Sequence, residues 1–243
     1  GVPDAAHTAR VRIFNPTAEM PFAGHPTVGT SFLLARRTTS LGDRLSLEVK
    51  AGVVDVTLRR NRSGAVTGTT IVAPEPLSLG GYLPASVVAR CANLAVSDII
   101  DIRHPPIIAS AGFPFVLVEV SDRALKRAEP VTEAFRKAVA DHSSLKGNLD
   151  LHLYVRDADR IRARMFAPLG GTREDPATGS ANVALGALLL SLTKDTRRVF
   201  EITQGVEMGR PSLLEVQAWR NGDTLRASVG GDCVEMFSGE VCL

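Results

Sequence analysis

The sequence predicts an α+β fold of two pseudo-symmetric halves, each a curled antiparallel or mixed sheet around one central helix. Three observations predict it. A unit of strand, loop, Pro-opened helix, strand, Gly turn and strand occurs twice. The matched segments keep their order: residues 12–16 (Arg-Ile-Phe-Asn-Pro) with 164–168 (Arg-Met-Phe-Ala-Pro), 24–30 with 174–180, and 47–52 with 200–205. The chain of 243 residues, 44% apolar and 22% charged, is long enough for two ordinary cores. The expected halves are residues 1–104 and 105–243, with the last strand free to cross back to the first half.

Residues 1–8 are polar and read as a lead-in. Residues 10–14 alternate as a strand does, and Asn15-Pro16 ends it. After a loop over 17–24, His25-Pro26 opens a helix to about residue 36, with Val28, Phe32, Leu33 and Ala35 apolar. Residues 45–49 and 53–58 around Gly52 read as a β-hairpin, and 67–72 as a strand ended by Pro74 and Pro76. A helix is expected over 82–92, strands over 107–109 and 115–120 around Gly112-Phe113-Pro114, and an amphipathic helix over 133–140. Residues 149–155 and 161–166 read as strands.

In residues 173–180 (Arg-Glu-Asp-Pro-Ala-Thr-Gly-Ser), Asp175 suits a helix N-cap and Pro176 the first helical position, ahead of the apolar run 181–190. Strands are then expected over 200–203, 212–219 and 225–229. Gly230-Gly231 reads as a turn into a strand over 233–237, and a last short strand follows Gly239.

Several function classes are disfavoured. A formal charge of +2 with scattered arginine pairs does not point to nucleic acid. The three cysteines, Cys91, Cys233 and Cys242, are odd in number and show no CxxC spacing, so neither a disulfide framework nor a zinc site is expected. No apolar run reaches the length of a membrane span and no signal segment opens the chain, so a cytoplasmic location is expected. No P-loop, G-x-G-x-x-G or G-x-S-x-G occurs, and no cofactor or metal is expected.

The duplication carries the chemistry. Two Pro-opened helices facing one cleft would aim their free N–H groups and positive dipole ends at a shared anion, a small-molecule carboxylate. Gly29 and Gly179 would allow close backbone approach. Gly179, Ser180 and Thr30 are the candidate binding residues. At the matched helix starts stand His25 and Asp175, two titratable groups able to exchange protons as general acid and base. The plainer readings are an N-cap for Asp175 and a loop histidine for His25; histidine caps helices poorly, which favours the chemical reading. His7, His104, His142 and His152 receive no role, and Glu19 and Glu174 read as loop charges.

Residues 12–27 (Arg-Ile-Phe-Asn-Pro-Thr-Ala-Glu-Met-Pro-Phe-Ala-Gly-His-Pro-Thr) resemble the first signature of the phenazine-biosynthesis PhzF-like isomerase family. Residues 174–181 resemble its second and 204–212 (Gln-Gly-Val-Glu-Met-Gly-Arg-Pro-Ser) its third, with 112–115 and 229–231 also fitting. The resemblance runs from residue 10 to the end. It implies the diaminopimelate-epimerase fold and cofactor-independent proton transfer on a small carboxylic acid, with Gly24 and His25 resembling family residues at the first helix start and Asp175, Gly179 and Ser180 those at the second. The type member moves a hydrogen and a double bond on a dihydro-hydroxyanthranilate. Racemases of the same fold use two cysteines at the helix starts, whereas His25 and Asp175 stand there in this chain. The family pattern begins further upstream, with a strand, a Gly-Asn-Pro segment and a Glu proton shuttle that residues 1–11 do not match. Two expectations follow: an exposed sheet edge that a homodimer would cover, and, as the alternative to an isomerase, a catalytically silent carboxylate-binding relative.

Overall fold

The computed structural model describes residues 7–38 and 42–239. The chain opens with three short strands, β1 (Ala9–Arg10), β2 (Ile13–Phe14) and β3 (Glu19–Met20). Helix α1 (Gly24–Arg37) follows, then β4 (Arg44–Val49), β5 (Gly52–Arg60) and β6 (Val66–Val72). The hairpin of β4 and β5 turns at Gly52, whose φ of 131° lies in the region glycine tolerates. Along β5 the side chains alternate, with Val54, Val56 and Leu58 buried and Val53, Asp55 and Thr57 exposed. The buried face of α1, with Thr27, Ser31 and Phe32, lies against β6, where Thr69 Oγ1 donates to the Val28 carbonyl at 3.1 Å.

The chain continues with β7 (Ser78–Tyr82), α2 (Ala85–Cys91), β8 (Ile107–Ser110), β9 (Pro114–Glu119), α3 (Asp122–Arg127) and α4 (Thr132–Asp141). Next come β10 (Leu151–Asp157), β11 (Arg160–Ala167), β12 (Thr172–Asp175) and α5 (Gly179–Ser191). The long strands β13 (Arg197–Gln204), β14 (Ser212–Asn221) and β15 (Thr224–Asp232) complete it. All but β2 and β3 join one mixed sheet in the order β1-β4-β5-β6-β15-β14-β13-β11-β10-β9-β8-β7, with β12 paired to β11.

Helix α5 is apolar all round and buried all round, from Ala181 to Leu190, as a helix enclosed by a curled sheet must be. Its core is shared with the inner faces of both sheet regions. A second core lies outside the sheet, where Leu125, Phe135, Leu151, Leu153 and Phe166 pack with α2, α3 and α4. Strand β7 pairs with β8, and Val87 and Val88 of α2 belong to this second core, so residues 78–91 associate with elements beyond residue 104.

The repeat survives as a local structure. Arg12 stacks over the Phe14 ring at 4.8 Å and pairs with Glu19; Arg164 stacks over Phe166 at 4.9 Å and takes both carboxylate oxygens of Glu174 at 2.8 Å. The first pair is exposed. The second is buried, and Arg164 also donates to the Leu125 and Ala128 carbonyls. Glu174 thus anchors β12 rather than serving as a loop charge.

Four expectations are corrected. Residues 78–82 form a strand, and the helix expected from 82 begins at Ala85. Helix α3 was not expected; Ser121 caps it, its side chain accepting from the Ala124 N–H. Gly230 and Gly231 do not turn the chain. They carry β15 across to pair with Thr70 and Thr69 of β6, where a Cβ on Gly230 would lie 2.4 Å from Thr70 Oγ1. Residues 233–239 form no strand, and Val234, Met236 and Phe237 are exposed. The strand expected after Gly239, the first six residues of the lead-in and Cys242 lie outside the described residues.

Candidate active site

The site begins where two helix starts touch. Gly24 is the first residue of α1 and Gly179 the first of α5. A Cβ on Gly24 would lie 2.5 Å from Gly179 Cα and 2.7 Å from Ser180 N, a contact only glycine permits. The two helix starts meet at this join, and the first-turn N–H groups there, Pro26 having none, lack an intrahelical acceptor, the setting in which helix N-termini seat anions. The Gly179 N–H is the exception, turned to the Ala177 carbonyl at 3.2 Å. Ser180 is buried immediately beside it.

Gly29 and Gly179 are not the pair that meets. A Cβ on Gly29 would meet nothing within 4 Å. Aligning the two Pro-Gly segments by their prolines slips the register by five residues relative to the helix starts. Thr30, expected near the cleft, is the seventh residue of α1 and sits about 9 Å along the helix from its beginning.

Asp175 is not the N-cap of α5 and Pro176 is not its first residue. Asp175 ends β12 opposite Met165, and Thr178 stands at the cap position. The start is delayed because Gln204, from β13, holds the intervening turn, bonding the Asp175 carbonyl at 2.7 Å and the Thr178 N–H at 3.1 Å. Asp175 Oδ2 accepts from Thr178 Oγ1 at 2.6 Å.

The turn leaves Asp175 facing the other helix start. His25 Nδ1 lies 3.9 Å from Asp175 Oδ2; the Asp175 side chain is 13% exposed and the His25 side chain 56%. One group is held by the protein and the other reaches solvent, an arrangement suited to passing a proton between substrate and bulk water. A cavity of about 880 Å³ is lined by Gly24, His25, Ala177 and Gly179, and also by Phe32, Arg210, Leu213 and Met236.

Sequence reasoning missed the polar groups behind the site: Thr178, Asn182, Gln204, His152 and Asp150. Their signal was weak. A single polar residue such as Asn182, in the largely apolar run 181–190, or His152, between leucines, reads as a surface position until the fold encloses it. Burial, with the nearby charge of Asp175 adding to it, pushes the Asp150 carboxyl up to about 6. Its protonated form is thus favoured by folding. The resulting stability is complete below about pH 4 and is lost as pH rises through about 6, worth roughly 3 kcal/mol. The Asp150→Asn variant is expected to melt higher than wild type above pH 6, with the gap closing at pH 4. Thermal unfolding scanned across pH checks this, and equal melting curves at pH 8 would contradict it.

Among the described residues, no three His, Cys, Asp or Glu side chains come together as a metal site, and no helix is long and apolar enough to cross a membrane.

Comparison with known proteins shows the family and the fold. The family model described as phenazine biosynthesis-like protein matches residues 2–239. A trans-2,3-dihydro-3-hydroxyanthranilate isomerase of Pseudomonas chlororaphis is 32% identical, over 97% of this chain and 80% of its own length. The crystal structure of a PhzF-family phenazine biosynthesis protein of Bacillus anthracis superimposes with a TM-score of 0.77 at 24% identity, over 91% of this chain and 76% of that one. A hydroxyproline epimerase of Agrobacterium vitis has the same fold, with a TM-score of 0.62 at 17% identity, over 94% of this chain and 69% of that one.

Proposed function

The chain belongs to the phenazine biosynthesis-like PhzC-PhzF family, and on that premise we propose that it is a cofactor-independent isomerase moving a proton and a double bond on a small carboxylic acid. The carboxylate rests on the first-turn N–H groups at the join of Gly24 and Gly179, with Ser180 beside it. Asp175 and His25 act as general base and acid, or orient the substrate between them. The observation that carries this reading is their 3.9 Å approach at the contact of two helix starts.

The chemistry asks for no more than these groups. One C–H bond breaks, another forms at the far end of the shifting double bond, and the proton balance is zero. No electrons leave the substrate, so a positioned base and acid suffice. The substrate class proposed is a hydroxylated, unsaturated or amino-bearing ring carboxylate, since several relatives are named trans-2,3-dihydro-3-hydroxyanthranilate isomerases. A homodimer and a cytoplasmic location belong to the same proposal. The first is supported by the place of β1 at the end of the sheet among the described residues, the second by the thiols of Cys91 and Cys233, which form no disulfide among the described residues.

The test is isomerisation of trans-2,3-dihydro-3-hydroxyanthranilate in heavy water. Deuterium is expected in the product at the newly protonated carbon, with the rate lowered in Asp175→Asn and His25→Ala. Full exchange in both variants would refute their assignment. A carboxylate that raises the melting temperature without exchange would mark a silent binder instead.

A further inference from the structure

The buried polar cluster behind Asp175 has only one consistent direction. Gln204 is fully buried. Its Nε2 donates to the Asp175 carbonyl and its Oε1 accepts from the Thr178 N–H. Backbone groups cannot exchange roles, so these two bonds decide which end of the carboxamide is which. The second Nε2 hydrogen goes to Thr178 Oγ1 at 2.8 Å. That hydroxyl, already accepting, keeps its own hydrogen for Asp175 Oδ2 at 2.6 Å.

Gln204 Oε1 also accepts from Asn182 Nδ2 at 2.8 Å, and that nitrogen donates again to the Thr178 carbonyl at 3.0 Å. Asn182 Oδ1 is left to accept from His152 Nε2 at 3.0 Å, which makes His152 a neutral imidazole protonated on Nε2. Its Nδ1 is buried without a partner among the described residues.

We infer that Gln204, acting through the Thr178 hydroxyl, is the positioning residue of the site. Both hydrogens of its amide and both lone pairs of its oxygen are engaged. The only freedom left in the turn is the hydroxyl hydrogen of Thr178, and it points at the carboxylate. Asp175 is thereby held as an acceptor in one rotamer, with Oδ2 toward His25. This rests on the reading that Asp175 works on the substrate. It adds that the working geometry is set from β13, 26 residues beyond Thr178, and not by the helix that Asp175 precedes.

The test is the steady-state kinetics of wild type, Thr178→Val, Thr178→Ser and Gln204→Glu on trans-2,3-dihydro-3-hydroxyanthranilate. Thr178→Val removes the hydroxyl at nearly constant shape. Its kcat is expected to fall about 10- to 100-fold with KM within about twofold, the size of loss a displaced catalytic group brings. Thr178→Ser returns the hydroxyl and is expected to recover kcat to within about threefold of wild type. Gln204→Glu keeps the acceptor end and loses both donors, so its kcat falls with KM unchanged even where Thr178→Val folds poorly. Unchanged kcat in both variants, or a loss that serine does not restore, overturns the positioning role alone. Absence of turnover by wild type overturns the isomerase reading, and the positioning role with it.

Discussion

A valine at position 24 forces the two helix starts apart and removes both stability and ligand binding. The atoms a Cβ there would meet are Gly179 Cα at 2.5 Å, Ser180 N at 2.7 Å and Gly179 C at 2.8 Å. All are backbone, so no side-chain rotation relieves the clash. Overpacking in a core costs about 1–3 kcal/mol, and a clash of backbone on backbone belongs at the top of that range. For a chain of this size that lowers the melting temperature by roughly 10 °C. The valine also covers the Ser180 N–H, so an added carboxylate is expected to give Gly24→Val no thermal protection. Gly29→Ala is the matched control. Open space surrounds that position, and relieving a mid-helix glycine stabilises by roughly 1 kcal/mol. Differential scanning calorimetry of both variants, with and without anthranilate as a stable ring carboxylate, separates the cases. Equal melting of Gly24→Val and wild type would mean that the helix starts do not meet.

Replacing Asp175 by asparagine is expected to lower kcat by about 10²–10⁴-fold, the range general acid–base catalysis supplies. The fold should persist, because the asparagine oxygen still accepts the Thr178 hydroxyl and the Gln204 bond is to the backbone carbonyl. Binding of anthranilate, which needs the helix N–H groups rather than the proton acceptor, is expected to change only a few-fold. A variant that binds and turns over like wild type would remove Asp175 from the chemistry.

Much of this architecture was legible because its signals are local. The alternation of Val54, Val56 and Leu58 announces a half-buried strand, and the largely apolar run 181–190 of α5 announces an enclosed helix. The doubled motif brought His25 and Asp175 into one hypothesis, and the structure sets them 3.9 Å apart. What escaped was set at long range. The start of α5 depends on Gln204, whose distance along the chain hides it from any cap rule. Strand β7 contains Gly80-Gly81, which carry no side-chain pattern to announce a strand. Gly230-Gly231 read as a break, yet their small size serves the close approach of β15 to β6; a Cβ on Gly68 would lie 2.3 Å from the Gly231 carbonyl oxygen. The slip between Gly29 and Gly24 has the same origin. Aligning prolines compares turns, whereas the fold superimposes helix starts, making His25 and Ser180 each the second residue of its helix.

The central claim is that the join of two helix starts seats a carboxylate beside a proton-transferring pair. A crystal structure with bound anthranilate tests it most directly. The account predicts the ligand carboxylate on the Ser180 N–H at the contact of Gly24 and Gly179, with the ring between Asp175 and His25. Anthranilate seated elsewhere, or an empty join at saturating ligand, would contradict it.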